Sequence, residues 1–289
     1  MNRLIFGCGY FGLRVARKWI AAGDPVFATT RSHDRAELFR REGIEPVIAD
    51  VTDVSSLKSL PEVETVLYAV SYDRHSGASR RAVYVDGIAN AVDAMHGRFQ
   101  RWISISSTSV YGQDRGEWVD ENSPCEPVAE NGRIVLEAEN VLRDRFASAG
   151  SDARTIQILR LAGIYGPGRL LRRIESLRKG DPIEGRGDAW LNLIHVDDAA
   201  DVVVACADGL HASGVTLVSD DEPVARRDYY SLLAELANAP PPRFAIESSP
   251  RDGEIGLNKR CSNRKLRADW RVPLEFPTFR LGLPHAITN

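Results

Sequence analysis

Three groups of residues have the types and spacing to do chemistry. Gly7-Cys8-Gly9-Tyr10-Phe11-Gly12 sets three glycines in the pattern G-x-G-x-x-G. The first permits a tight turn, the second lets backbone approach a pyrophosphate, and the third lets a helix pack close, its N-terminus offering N–H donors. Alone the pattern is also that of a glycine-rich turn. Lying between the apolar run Leu4–Phe6 and an amphipathic stretch, it reads as a dinucleotide site. Next, Thr29-Thr30-Arg31-Ser32 closes the second apolar run, with no carboxylate until Asp34. An NAD site usually puts an acid there for the ribose 2′-hydroxyl, whereas a guanidinium grips a 2′-phosphate with two bonds. The residues favour NADP(H) over NAD(H), though a solvated loop arginine is the plainer reading of Arg31. The third group is Ser106-Ser107-Thr108-Ser109-Val110-Tyr111-Gly112, which offers hydroxyls and a phenol after another apolar run.

Positioning these groups needs a scaffold of alternating elements. Leu4–Phe6, Val26–Thr30, Val47–Ala49, Val66–Ala69, Trp102–Ser106 and Thr155–Leu161 are short, apolar and rich in β-branched residues, as strands are. Helical spacing marks Phe11–Ala22, Arg35–Glu42, Val54–Leu60, Ala78–Met95 and Arg133–Ala149, and Gly23, Gly43 and Gly150 each follow a helix where a left-handed cap is wanted. This alternation predicts an α/β fold, a doubly wound parallel sheet of the Rossmann kind with a smaller C-terminal substrate lobe. The nucleotide domain is expected over 1–165 with 195–221, and the lobe over 166–194 with 222–289. A helix at Asp197–Cys206 and a strand at Val215–Val218 return to the first rhythm. Expected cofactor contacts are Gly7, Gly9, Tyr10, Phe11, Gly12, Arg31 and Ala69, with Asp50 and Val51 meeting the adenine edge.

Composition excludes several functions. In 289 residues, 37 Lys+Arg stand against 40 Asp+Glu, a formal net charge of −3, so no basic excess exists to bind nucleic acid. Cys8, Cys125, Cys206 and Cys261 lie far apart and read as reduced thiols, with no metal-ligand spacing. No run approaches the ~20 apolar residues of a membrane span, and Asn2–Phe6 is too short an apolar start for a signal peptide. A cytoplasmic location is expected.

Taken together, the Gly7–Gly12 turn, Ser106–Gly112, Leu159-Arg160-Leu161-Ala162-Gly163-Ile164-Tyr165-Gly166-Pro167-Gly168 and Asn192-Leu193-Ile194-His195-Val196-Asp197-Asp198 resemble the extended short-chain dehydrogenase/reductase superfamily. The resemblance is to its NAD-dependent epimerase/dehydratase members, over nearly the whole chain. Phe6, where extended members carry a further Gly, resembles the atypical branch. The resemblance implies a Ser or Thr orienting the substrate hydroxyl, which Ser107 matches; a strand-end Ser bonded to backbone is the other reading. It also implies a Tyr that moves the proton and a Lys four residues on that lowers its pKa. The matching helix reads Asn131-Gly132-Arg133-Ile134-Val135-Leu136-Glu137-Ala138-Glu139, with Asn131 and Val135 in those two places. No Tyr lies between Tyr111 and Tyr165, and no Lys between Lys58 and Lys179. Thr108-Ser109 stand where dehydratases carry Asp-Glu, which speaks against sugar dehydration.

Three readings follow from the resemblance: a nucleotide-sugar epimerase or reductase with a non-standard acid–base, an inactive NADP(H) sensor or scaffold, or an unrelated reaction in the retained nucleotide-sugar cleft. For the first, Ser107 and Tyr111 are the catalytic candidates, with Tyr165, Glu130 and His195 behind them; the aromatic residues read equally as packing, and His195 as structural. Asp197 and Asp198 read as caps of the following helix. Arg169, Arg172 and Arg186 could clamp an anionic ligand or be solvated, and Trp190, Tyr229 and Tyr230 read as core or interface. A homodimer through the Ala78–Met95 and Arg133–Ala149 helices is a family expectation.

Overall fold

The computed structural model describes residues 1–148, 154–209, 213–245 and 258–288. Gly150 and Ala149 lie outside them. Seven strands form one sheet: β1 (Arg3–Phe6), β2 (Val26–Thr30), β3 (Glu45–Ile48), β4 (Thr65–Tyr68), β5 (Arg101–Ser107), β6 (Thr155–Leu161) and β7 (Gly214–Val218). Their order is β7-β6-β5-β4-β1-β2-β3. The pairs from β3 through β2, β1 and β4 to β5 run parallel. The order reverses between β1 and β4, and in such sheets ligands bind beyond the carboxyl ends of the strands at the reversal. The doubly wound sheet that the alternation predicts is therefore present.

Helices α1 (Gly12–Ala21), α2 (His33–Arg41), α3 (Gly87–Ala94), α4 (Glu130–Ser148), α5 (Leu171–Lys179), α6 (Val196–Asp208), α7 (Arg226–Leu236) and α8 (Phe279–Thr288) complete the architecture. In α1 the face Val15, Ala16 and Trp19 is buried, while every residue of β1 is buried. Gly23 and Gly43 have φ of +86° and +77°, the left-handed region wanted after α1 and α2. Ser32 caps α2, its hydroxyl accepting from the Arg35 N–H at 3.3 Å.

Two expected helices differ in kind. Val54–Ser59 is a 3₁₀ segment, begun by Asp53 accepting from the Ser55 N–H. The stretch expected as one helix over Ala78–Met95 has a π turn at Ala82–Asp86 before α3. At the join the backbone packs close to the core: a Cβ on Gly87 would stand 2.8 Å from Val51 Cγ2.

The chain divides into two compact units. The first comprises residues 1–106, 134–159 and 200–216; the second comprises 107–133, 160–199 and 217–289. Residues 107–133 thus cluster with the second unit, beyond the limits drawn for the lobe from sequence. The first unit's core holds Phe6, Tyr68 and Trp102, whose ring centroids lie 5.8 to 6.2 Å apart. The second unit has a core of its own around Tyr165, Tyr229, Tyr230 and Phe279.

Within the second unit the start of α6 departs from expectation. His195 is the residue whose side chain caps the helix: its Nδ1 accepts from the Asp197 N–H at 3.3 Å. Asp198 is fully buried and instead accepts from the N–H groups of Glu275 and Phe276, at 2.7 and 3.0 Å. That carboxylate satisfies a chain segment far away in sequence, which no local pattern reveals.

Candidate functional site: a phosphate turn and two arginines

The turn after β1 is built by contacts only glycine allows. Gly7 has φ of +84°, and a Cβ on it would stand 2.5 Å from the Ala69 carbonyl oxygen. A Cβ on Gly12 would meet the Gly7 oxygen at 2.7 Å. Gly9 differs, having no atom within 4 Å of its would-be Cβ. Two of the glycines thus close the turn on the ends of β1 and β4, and the second leaves space. Phe11 precedes α1 with no side-chain cap, and the first turn carries no acid. The Leu13 and Arg14 N–H groups donate to the Gly9 and Phe11 carbonyls at 2.9 and 3.0 Å, and no carboxylate at this end opposes an anion. The Cys8 thiol is buried and pushed by that burial up to about 12, so it is no nucleophile.

A cleft of about 290 Å³ opens beside this turn, within the first unit. Of the residues expected at the cofactor, Gly7, Gly9, Arg31, Asp50 and Val51 line it. Tyr10, Phe11, Gly12 and Ala69 are not among its lining residues; Gly12 and Ala69 act by framing Gly7, and the Tyr10 ring lies beneath Arg14 at 4.2 Å. Asp50 has a carboxylate oxygen accepting from the Thr52 N–H and hydroxyl at 2.8 and 2.7 Å, which fixes the loop after β3. A space that a Cβ on Gly9 would enter, beside a helix N-terminus without an acid, fits the pyrophosphate of a dinucleotide.

Arg35 is among the lining residues that the sequence reading does not name. Arg35, in the first turn of α2, donates from Nη2 to the Cys8 carbonyl oxygen at 2.9 Å. The cleft therefore holds two guanidinium groups, Arg31 and Arg35, and β2 ends without a carboxylate. The available signal was the spacing Arg31-x-x-x-Arg35 around a helix start.

The residues proposed for chemistry sit elsewhere. Ser107 ends β5, at the carboxyl edge of the sheet, and its Oγ accepts from the Ser109 N–H at 3.1 Å. Tyr111 is 1 % exposed and its hydroxyl accepts from Arg160 Nη1 at 2.9 Å. Burial holds its pKa well above the ordinary phenol value, against the pull of Arg160. Such a phenol is poorly placed to exchange a proton. Tyr165 is likewise buried, with the backbone of Gly282 so close that a Cβ there would meet its hydroxyl at 2.0 Å. Asn131 is exposed and Val135 half-buried on α4, and neither titrates. Glu139, the retained acid of that helix, is buried and accepts from Ser106 Oγ at 2.5 Å and from Arg143 at 2.7 Å. Glu130 is exposed at the start of α4.

The remaining candidates have local partners or lie on the surface. Arg186 is paired through two bonds with Asp188, and Arg169 and Arg172 are exposed. Tyr229 and Tyr230 are core residues, and the Arg260 guanidinium lies 5.2 Å from the Trp190 ring.

Comparison with known proteins identifies the family and the fold. The sequence model of the NAD dependent epimerase/dehydratase family matches residues 4–215, and the chain belongs to that family. It is 27 % identical over 280 residues to Protein YeeZ of Escherichia coli K12, covering 94 % of this chain and 97 % of that one. A solved structure of a functionally unknown conserved protein from Silicibacter pomeroyi is 29 % identical, with a TM-score of 0.78, covering 98 % and 96 % of the two chains. MoeE5 in complex with UDP-glucuronic acid and NAD has a TM-score of 0.82 at 23 % identity, covering 100 % and 98 %. Among the described residues no helix is long and apolar enough to cross a membrane.

Proposed function

We propose that this protein binds NADP(H) in preference to NAD(H) and acts on a nucleotide sugar with Ser107 orienting the substrate hydroxyl, without a Tyr–Lys pair. The observation that carries the cofactor preference is the pair Arg31 and Arg35 on one cleft whose second strand ends without an acid. A 2′-phosphate bears close to two negative charges, which charge-assisted bonds from two guanidinium groups would meet. The bound dinucleotide would supply the hydride chemistry. This chain's share is to hold the pyrophosphate on the α1 N-terminus through Gly7 and Gly9, the 2′-phosphate on Arg31 and Arg35, and the adenine edge against Asp50 and Val51. The nucleotide-sugar part rests on the motifs kept at Leu159–Gly168 and Asn192–Asp198, and on MoeE5, a protein of like fold that holds NAD and UDP-glucuronic acid.

A second reading, an NADP(H) sensor or scaffold without turnover, is favoured by one observation: Tyr111 is buried against Arg160 while Asn131 and Val135 replace the family's proton-moving pair. Cofactor oxidation or reduction measured across a panel of nucleotide sugars separates the two. Turnover that falls at least tenfold in Ser107→Ala supports the enzyme; tight NADP(H) binding with no turnover on any of them supports the sensor.

A further inference from the structure

Arg31 is already engaged in this structure. Its Nη2 lies 3.1 Å from Oδ2 of Asp73, and both residues line the cleft. Arg31 follows β2 and Asp73 follows β4, the two strands that flank β1 in the sheet. The ion pair thus bridges the strand ends on either side of the glycine turn. Asp73 is held for this: its Oδ1 accepts from the His75 N–H at 3.0 Å, its carbonyl accepts from Ser76 Oγ at 2.7 Å, and Gly77 turns the chain at φ +75°. The His75 bond, with Arg31 beside it, keeps the carboxyl below its ordinary range, so it is charged at neutral pH.

An acid that a dinucleotide site usually carries at the end of β2 is therefore supplied from the segment after β4. A carboxylate there suits a ribose 2′-hydroxyl, which can donate to it. Toward a 2′-phosphate it acts oppositely, by occupying Arg31 and by repelling like charge. We propose that Asp73 sets the balance between the two cofactors, competing with the 2′-phosphate for Arg31. The proposal rests on the cofactor reading above and names the residue that tempers it. Each partner is about half exposed, 49 % and 47 %, so the pair is a modest brake and not a lock.

The test uses the adenosine half of the ligand alone: calorimetric titration of the whole protein with adenosine 2′,5′-bisphosphate and with AMP. Asp73→Asn should tighten the bisphosphate three- to tenfold and leave AMP within twofold or weaker. In an Arg31→Ala background the same substitution should lose at least half of that gain, since the competitor then has nothing to occupy; Asp73→Ser should reproduce the effect. Bisphosphate affinity unchanged within twofold, or weaker, in both Asp73 variants overturns the proposal, provided the wild type prefers the bisphosphate. A wild type that binds AMP as tightly sinks the cofactor reading itself, and does so before any substitution is made.

Discussion

The Arg35 guanidinium donates to the Cys8 carbonyl oxygen at 2.9 Å, tying the first turn of α2 to the glycine turn after β1. This bond fixes a positive charge on the cleft beside Arg31, where the proposed function puts the 2′-phosphate. Its consequence is measurable. Arg35→Ala should weaken NADP(H) at least tenfold and NAD(H) less than threefold, because a charge-assisted bond contributes about 1.5–3 kcal/mol. Equal losses for both cofactors would show that Arg35 serves the turn alone.

The glycines separate folding from binding. Gly7→Ala places a Cβ 2.5 Å from the Ala69 oxygen at a left-handed φ, and should cost about 2–4 kcal/mol of stability. Gly9→Val meets nothing within 4 Å of its Cβ; its melting temperature should stay near wild type while dinucleotide affinity falls at least tenfold. Thermal denaturation with and without cofactor checks both.

Asp220 gives a pH dependence with a definite sign. It is 1 % exposed, its Oδ2 has no hydrogen-bond partner among the described residues, and burial raises its pKa to about 8. The folded protein therefore keeps this proton while the unfolded chain, with an ordinary carboxyl near 3.9, releases it. Stability from this group is full below about pH 3.9 and is lost as pH rises to about 8. Asp220→Asn should flatten the denaturation profile between pH 5 and 8 and gain about 1–3 kcal/mol at pH 8. An unchanged slope in urea unfolding would contradict this.

Tyr111→Phe removes the acceptor of a bond from Arg160, itself 3 % exposed. Leaving that guanidinium short of an acceptor should cost about 1–3 kcal/mol in chemical denaturation. Turnover per folded molecule should change less than threefold, in contrast to Ser107→Ala. A Tyr111→Phe protein of wild-type stability and no turnover would return the phenol to the chemistry.

Much of this was legible in the sequence, and the limits have physical causes. The glycine spacing at Gly7, Gly9 and Gly12 and the alternation of apolar runs are local signals, and they locate the sheet, the turn and the edge of the cleft that the turn forms. Arg35 was missed because a helix-start arginine looks solvated until α2 is docked beside Cys8. The Arg31–Asp73 pair joins residues 42 positions apart, and Asp198 serves the backbone at 275–276; tertiary partners of this kind leave no periodicity. The burial of Tyr111 was equally hidden, since its motif announces a loop and not the Arg160 contact beneath it.

The most direct test of the account is separate equilibrium titration of the wild-type protein with NADPH and NADH under one buffer. Two guanidinium groups on the cleft and no acid at the end of β2 call for NADPH to bind at least tenfold more tightly. Equal affinity, or tighter binding of NADH, would contradict it.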